Sequence, residues 1–332
     1  MTDTITKKDF SKRLYIYKVG NIALTLMCGL LCAICTLFFY DEKPGYFALH
    51  PLISIFYVAI ALTVLFAIST VITFNKTFKL EQPTSKGSYQ IISIIPACAF
   101  ILYAISLTPT AFEGSSKSKA ALLQMFFALA AFLYFFIIAL DISSNQNLLA
   151  ILGIASLGCP ILIAINSYFD YSSVMNGPDK LFMQFAVVLF SLYLINELRF
   201  ILNKSYSRFY ITVAILTSSV AIISFVFKIC TLASNRKLQI DNLALAGLLA
   251  SIGVYTALRL ILAKESPDSG IEPQEETANK DSNTESDTSS ADEESNIKNG
   301  ESQSDINTDN ESDSKKSSLE SASADSPEES HE

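Results

Sequence analysis

The first 263 residues alternate long apolar runs with short polar interruptions, and the runs lack the polar face that recurs every turn on a surface helix. Leu122–Leu140 (LLQMFFALAAFLYFFIIAL) shows the pattern best, with no charge and one strongly polar side chain, Gln124. As an α-helix that run would extend about 28 Å, close to the hydrocarbon thickness of a bilayer. Comparable runs predict membrane spans at 19–40, 49–74, 90–108, 120–141, 147–169, 181–202, 209–231 and 240–263. The expected fold is therefore all-α: a polytopic helical bundle of about eight transmembrane helices.

The interruptions predict how the spans join. Residues 1–18 are short and basic and precede an apolar run too long, and too poor in small residues at its end, for a cleaved signal; a signal anchor is expected. Pro51 suits the first turn of the second span, whereas Pro96 should kink the third and Pro109 should close it. Loops are expected at 110–119, 170–180 and 232–239, and the five residues 142–146 should make a tight helical hairpin. Gly158-Cys159-Pro160 marks either a kink or a broken helix in the fifth span.

Composition divides the chain. From Glu265 onward there are 21 acidic and 4 basic residues, a net of −17; residues 1–264 hold 11 acidic and 20 basic ones, a net of +9. Residues 264–332, rich in Ser, Asp and Glu, cannot bury enough apolar surface to offset ordering entropy, and a disordered acidic tail is expected. With the N-terminus inside, 13 Lys and Arg fall on inner segments or inner helix ends and 7 on outer ones, which favours cytoplasmic placement of both termini in a cell membrane.

Chemistry-bearing residues are few. Glu197 and Arg259 lie inside the sixth and eighth spans near their inner ends. An interhelical ion pair is one expectation. Snorkelling of Arg259 and Arg199 to the interface is the other. Gln124, Asn166 and Gln184 are further intramembrane polar residues that, with Glu197, could line a water-filled cavity. Ala246, Gly247, Ala250, Ser251 and Gly253 make a small-residue face on the eighth span, suited to packing within the bundle, a homodimer or a helical partner.

Cys28, Cys32 and Cys35 share the spacing of the iron–sulfur triad in radical-SAM enzymes, but at i, i+4 and i+7 on an apolar helix they make a packing stripe. Two histidines, His50 and His331, cannot build a His-rich metal site or a zinc-protease motif, and no GxSxG, GxxxxGK[ST] or GxGxxG motif occurs. No cofactor and no catalytic residue is therefore expected. The expected surroundings are membrane lipids and, for the tail, a basic protein; scattered basic residues give no nucleic-acid face. Two functions fit these features. One is a non-enzymatic accessory subunit or scaffold with the tail as tether; the alternative is a permease or channel for a small neutral solute.

Overall fold

A computed structural model describes residues 2–41, 45–74, 78–81, 86–113, 116–140, 146–170, 177–201, 207–235 and 240–266. The helices are α1 (Thr2–Phe39), α2 (Pro51–Thr73), α3 (Lys86–Ser106), α4 (Thr108–Phe112), α5 (Ser116–Ala139), α6 (Gln146–Ser156), α7 (Gly158–Phe169), α8 (Pro178–Ile201), α9 (Ser207–Asn235) and α10 (Ile240–Leu262). Two-residue strands pair as β1 (Tyr40–Asp41) with β2 (Tyr46–Phe47), and β3 (Leu80–Glu81) with β4 (Lys264–Glu265). Among the described residues, 8 helical segments are long and apolar enough to cross a membrane, α3–α4 and α6–α7 each counting as one.

Span centres fall where the hydropathy pattern puts them; several ends do not. The basic residues 2–18 are helical and continuous with the first span, since α1 runs unbroken from Thr2 to Phe39. Pro109 does not close the third span. It occupies the opening turn of α4, where its missing N–H is no loss, so the helix is only interrupted. Pro178 likewise starts α8 inside the expected loop, with Asp179 and Lys180 in its first turn. The loop expected at 232–239 begins late, since α9 runs to Asn235. Residues 264 and 265 belong to β4, and Ser266 donates its N–H to the Lys79 carbonyl at 2.9 Å. The remainder of the expected tail, residues 267–332, lies outside the described residues.

Six spans close on one another in the order α3, α5, α6–α7, α8, α9, α10 and back to α3. The α1–α2 hairpin packs on the outside of this ring, chiefly against α9. That placement explains why α9 is polar for a membrane span: its hydroxyls face protein. Thr25 and Ser219 are 2.8 Å apart, Ser218 donates to Asn21 at 3.1 Å, and Thr70 meets Thr212 at 2.5 Å. Each of these hydroxyls finds a partner on a neighbouring helix, whereas Ser224, also on α9, is buried without one among the described residues.

Basic residues at the face where α1 begins serve as helix caps. Lys18 Nζ donates to the carbonyls of Ile261 (2.9 Å) and Ala263 (2.5 Å), which complete the C-terminal end of α10. Arg13 reaches the Thr73 carbonyl at the end of α2 at 3.4 Å. Cations placed there complement the negative helix terminus. Replacing Lys18 by Met is expected to cost about 1–2 kcal/mol, read as faster amide exchange confined to Leu260–Ala263.

Candidate functional site

Helical spacing puts Tyr193 one turn before Glu197 on α8, and Tyr255 one turn before Arg259 on α10. The two pairs face each other inside the ring. Arg259 Nε and Nη2 donate to Glu197 Oε1 at 3.1 and 3.0 Å, and the Tyr255 hydroxyl donates to the same oxygen at 2.6 Å. Tyr89, in the first turn of α3, adds a longer contact to Oε1 at 3.4 Å and places its ring 3.8 Å from the guanidinium carbon, a cation–π contact. Tyr193 and Tyr210, the latter in the first turn of α9, join hydroxyls at 2.9 Å. Tyr134 of α5 packs edge-on to Phe135 at 5.0 Å, and Phe135 in turn packs 5.2 Å from the Tyr255 ring.

Arg259 is 3% exposed and Glu197 0%. Arg259 therefore does not snorkel; Arg199, on the other side of α8, is exposed. Taking both charges out of water is costly, and only close pairing with added hydrogen bonds offsets that cost. The offset is lopsided. Oε1 takes every donor, while Glu197 Oε2 and the Tyr134 hydroxyl are buried with no hydrogen-bond partner.

A second polar cluster lies toward the opposite face. Asn166 Nδ2 of α7 donates to Gln124 Oε1 of α5 at 2.7 Å, and Gln124 Nε2 donates to the Tyr103 hydroxyl of α3 at 2.5 Å. Beside it, Gln184 of α8 meets Ser167 of α7 at 3.4 Å. Gln124 and Asn166 are thus brought together and Gln184 stands next to them, but Glu197 is separated from all three. Phe100 stacks on Phe135 (5.8 Å between centroids) and on Phe190 (6.2 Å), and Phe135 packs edge-on to Tyr255 at 5.2 Å. Helical rise from Gln184 to Glu197 on α8 puts the clusters about 20 Å apart, with this aromatic layer between them.

The fifth span bends rather than breaks. Leu157, between α6 and α7, keeps helical dihedrals, and its N–H turns to the Ile154 carbonyl at 3.2 Å. Pro160 removes the N–H that would have bonded Ser156, so the chain tightens by one residue. Gly158 fits because a Cβ there would lie 2.4 Å from the Phe127 ring.

The small-residue face of α10 divides. Ala246 and Gly253 are buried, and a Cβ at Gly253 would stand 2.7 Å from Ile222 of α9. Ser251 is buried, bonding back to the Leu248 carbonyl at 2.7 Å, and Ala250 is half-buried. Gly247 is exposed, with nothing within 4 Å of where its Cβ would be. Cys28, Cys32 and Cys35 are free, buried thiols packed toward α2 and α9, and no group of His, Cys, Asp and Glu suited to a metal occurs among the described residues. An apolar groove of about 790 Å³, lined by Ile53, Tyr57, Phe182 and Phe185 among others, opens between α2, α8 and α9.

The tyrosine cage was not expected from sequence. Tyrosine near the end of a span reads as an interfacial anchor, and only the pairing of Tyr193 with Glu197 and Tyr255 with Arg259 at i, i+4 hints at a shared site.

Compared with models of protein families, with curated proteins and with solved structures, the chain matches none. Fold and hydropathy together define a multi-pass membrane protein.

Proposed function

We propose that the six-helix ring is a permease for a small, uncharged polar solute. One observation carries this reading: the ring interior holds two polar clusters of no net charge, Glu197–Arg259 with its tyrosines and Tyr103–Gln124–Asn166, separated by an aromatic layer. Ionisable residues inside membrane helices are costly and usually mark a pathway. Polar stations on either side of an apolar barrier suit a carrier that exposes one at a time. The Lys/Arg bias supports a cytoplasmic position for the Glu197 cluster and for both termini.

The scaffold reading has lost part of its support. Its small-residue face is used within the bundle at Ala246 and Gly253; the tail it would use as a tether, residues 267–332, lies outside the described residues and counts neither way.

Thiol labelling separates the two. In full-length protein with the six native cysteines replaced, single cysteines at Gln124 and Tyr134 are treated with a membrane-impermeant reagent from each side of sealed vesicles. A permease is expected to label at 124 from one side and at 134 from the other. Protection of both positions from both sides would mean a solid bundle and would return the scaffold reading.

A further inference from the structure

We infer that Glu197 Oε2 and the Tyr134 hydroxyl form a binding station for a hydrogen-bond-donating group, O–H or N–H, of that uncharged solute, an assignment that rests on the permease reading.

Both atoms are buried and without a partner among the described residues, which is uncommon for side-chain oxygens. They come from α5 and α8, which are not neighbours in the circuit of helices, and Tyr134 is tied to the cage through Phe135, whose ring packs 5.2 Å from Tyr255, the residue that donates to Glu197. What they need can be read from their chemistry. Oε2 belongs to a carboxylate paired with a permanently charged guanidinium, so it only accepts; its partner must donate. A tyrosine hydroxyl gives or takes one bond, and a hydroxyl or primary amide can donate to Oε2 while accepting from Tyr134.

Charge is excluded by the rest of the cage. Arg259 already neutralises Glu197, and the groups around the station are Tyr89 from α3, Tyr193 from α8, Tyr210 from α9 and Tyr255 from α10, none bearing a formal charge. A cation would meet Arg259 at close range and an anion would meet Oε2. Either would carry an uncompensated charge into a buried site, which costs far more than burying a neutral polar group. The amide cluster repeats this preference, since Gln124, Asn166 and Tyr103 offer donors and acceptors without charge.

The test perfuses full-length protein in a lipid film with glycerol, erythritol or acetamide at millimolar concentration, with methylammonium and acetate as charged counterparts. Infrared difference spectra read the Glu197 carboxylate stretch, identified by its absence in E197Q. At least one uncharged probe is expected to shift that band saturably, and the charged probes are not. Tyr134→Phe removes one hydroxyl without altering the ring and should raise the half-saturating concentration about tenfold, the effect of one lost hydrogen bond. A shift unchanged in Y134F would remove Tyr134 from the station, and an equal response to a charged probe would overturn the solute class. If the labelling experiment shows the interior opening to water yet none of the three uncharged probes moves the band, the station is wrong and the permease reading survives. Closure to label from both sides would take both down.

Discussion

Replacing Arg259 by methionine is expected to cost about 3–5 kcal/mol, because it leaves the buried Glu197 carboxylate without its counter-charge. In detergent the full-length chain should lose on the order of 10 °C in Tm. The double variant E197Q/R259M should recover much of that loss, since neither side chain then needs a counter-charge. R259K should fall between: lysine keeps the charge but cannot send two N–H groups to Oε1 while lying flat on the Tyr89 ring. Equal stability of R259M and wild type would mean that the two charges do not depend on each other. A double variant as weak as R259M would mean the same.

Gly253→Val is the second large effect. The added Cβ would sit 2.7 Å from Ile222 Cγ1 and 3.3 Å from the Ile222 backbone nitrogen. A side chain can turn away but the α9 backbone cannot, so the α9–α10 contact must open. Overpacking of this kind costs about 3 kcal/mol, and the α9–α10 seam bounds the Glu197 cage, so stability and solute response should fall together. Gly247→Ala, six residues earlier in the same stripe, meets nothing and should stay within about 0.5 kcal/mol of wild type. Paired Tm measurements decide the matter. A large loss in G247A with none in G253V would place the working face of α10 toward an outside partner.

That contrast shows how far the sequence could be read. Small residues spaced along α10 announce close packing, but which of them packs depends on how α10 is rotated against α9, and a stripe five residues long does not specify the rotation. Span centres were legible because only sustained apolarity satisfies the bilayer, as in Leu122–Leu140. Ends were less so: Pro109 reads as a stop and Pro178 as part of a loop, yet proline is also at home in an opening turn, and only the fold chooses. Glu197 and Arg259 stood out by charge alone. Their burial did not, since snorkelling and pairing look identical until helix order is known. The circuit that brings α3, α5, α8, α9 and α10 around one carboxylate is a long-range property, so five tyrosines that each resemble an interfacial anchor become one cage only in three dimensions.

The short β3–β4 pairing has a mechanical consequence. Lys264–Ser266 is held to Leu80–Glu81 by the strand pair and to Lys79 by one further hydrogen bond, while Lys18 grips the end of α10 from α1. A tug on Ser266 is thus shared by the α2–α3 connection and the first helix before it strains the turn that carries Arg259.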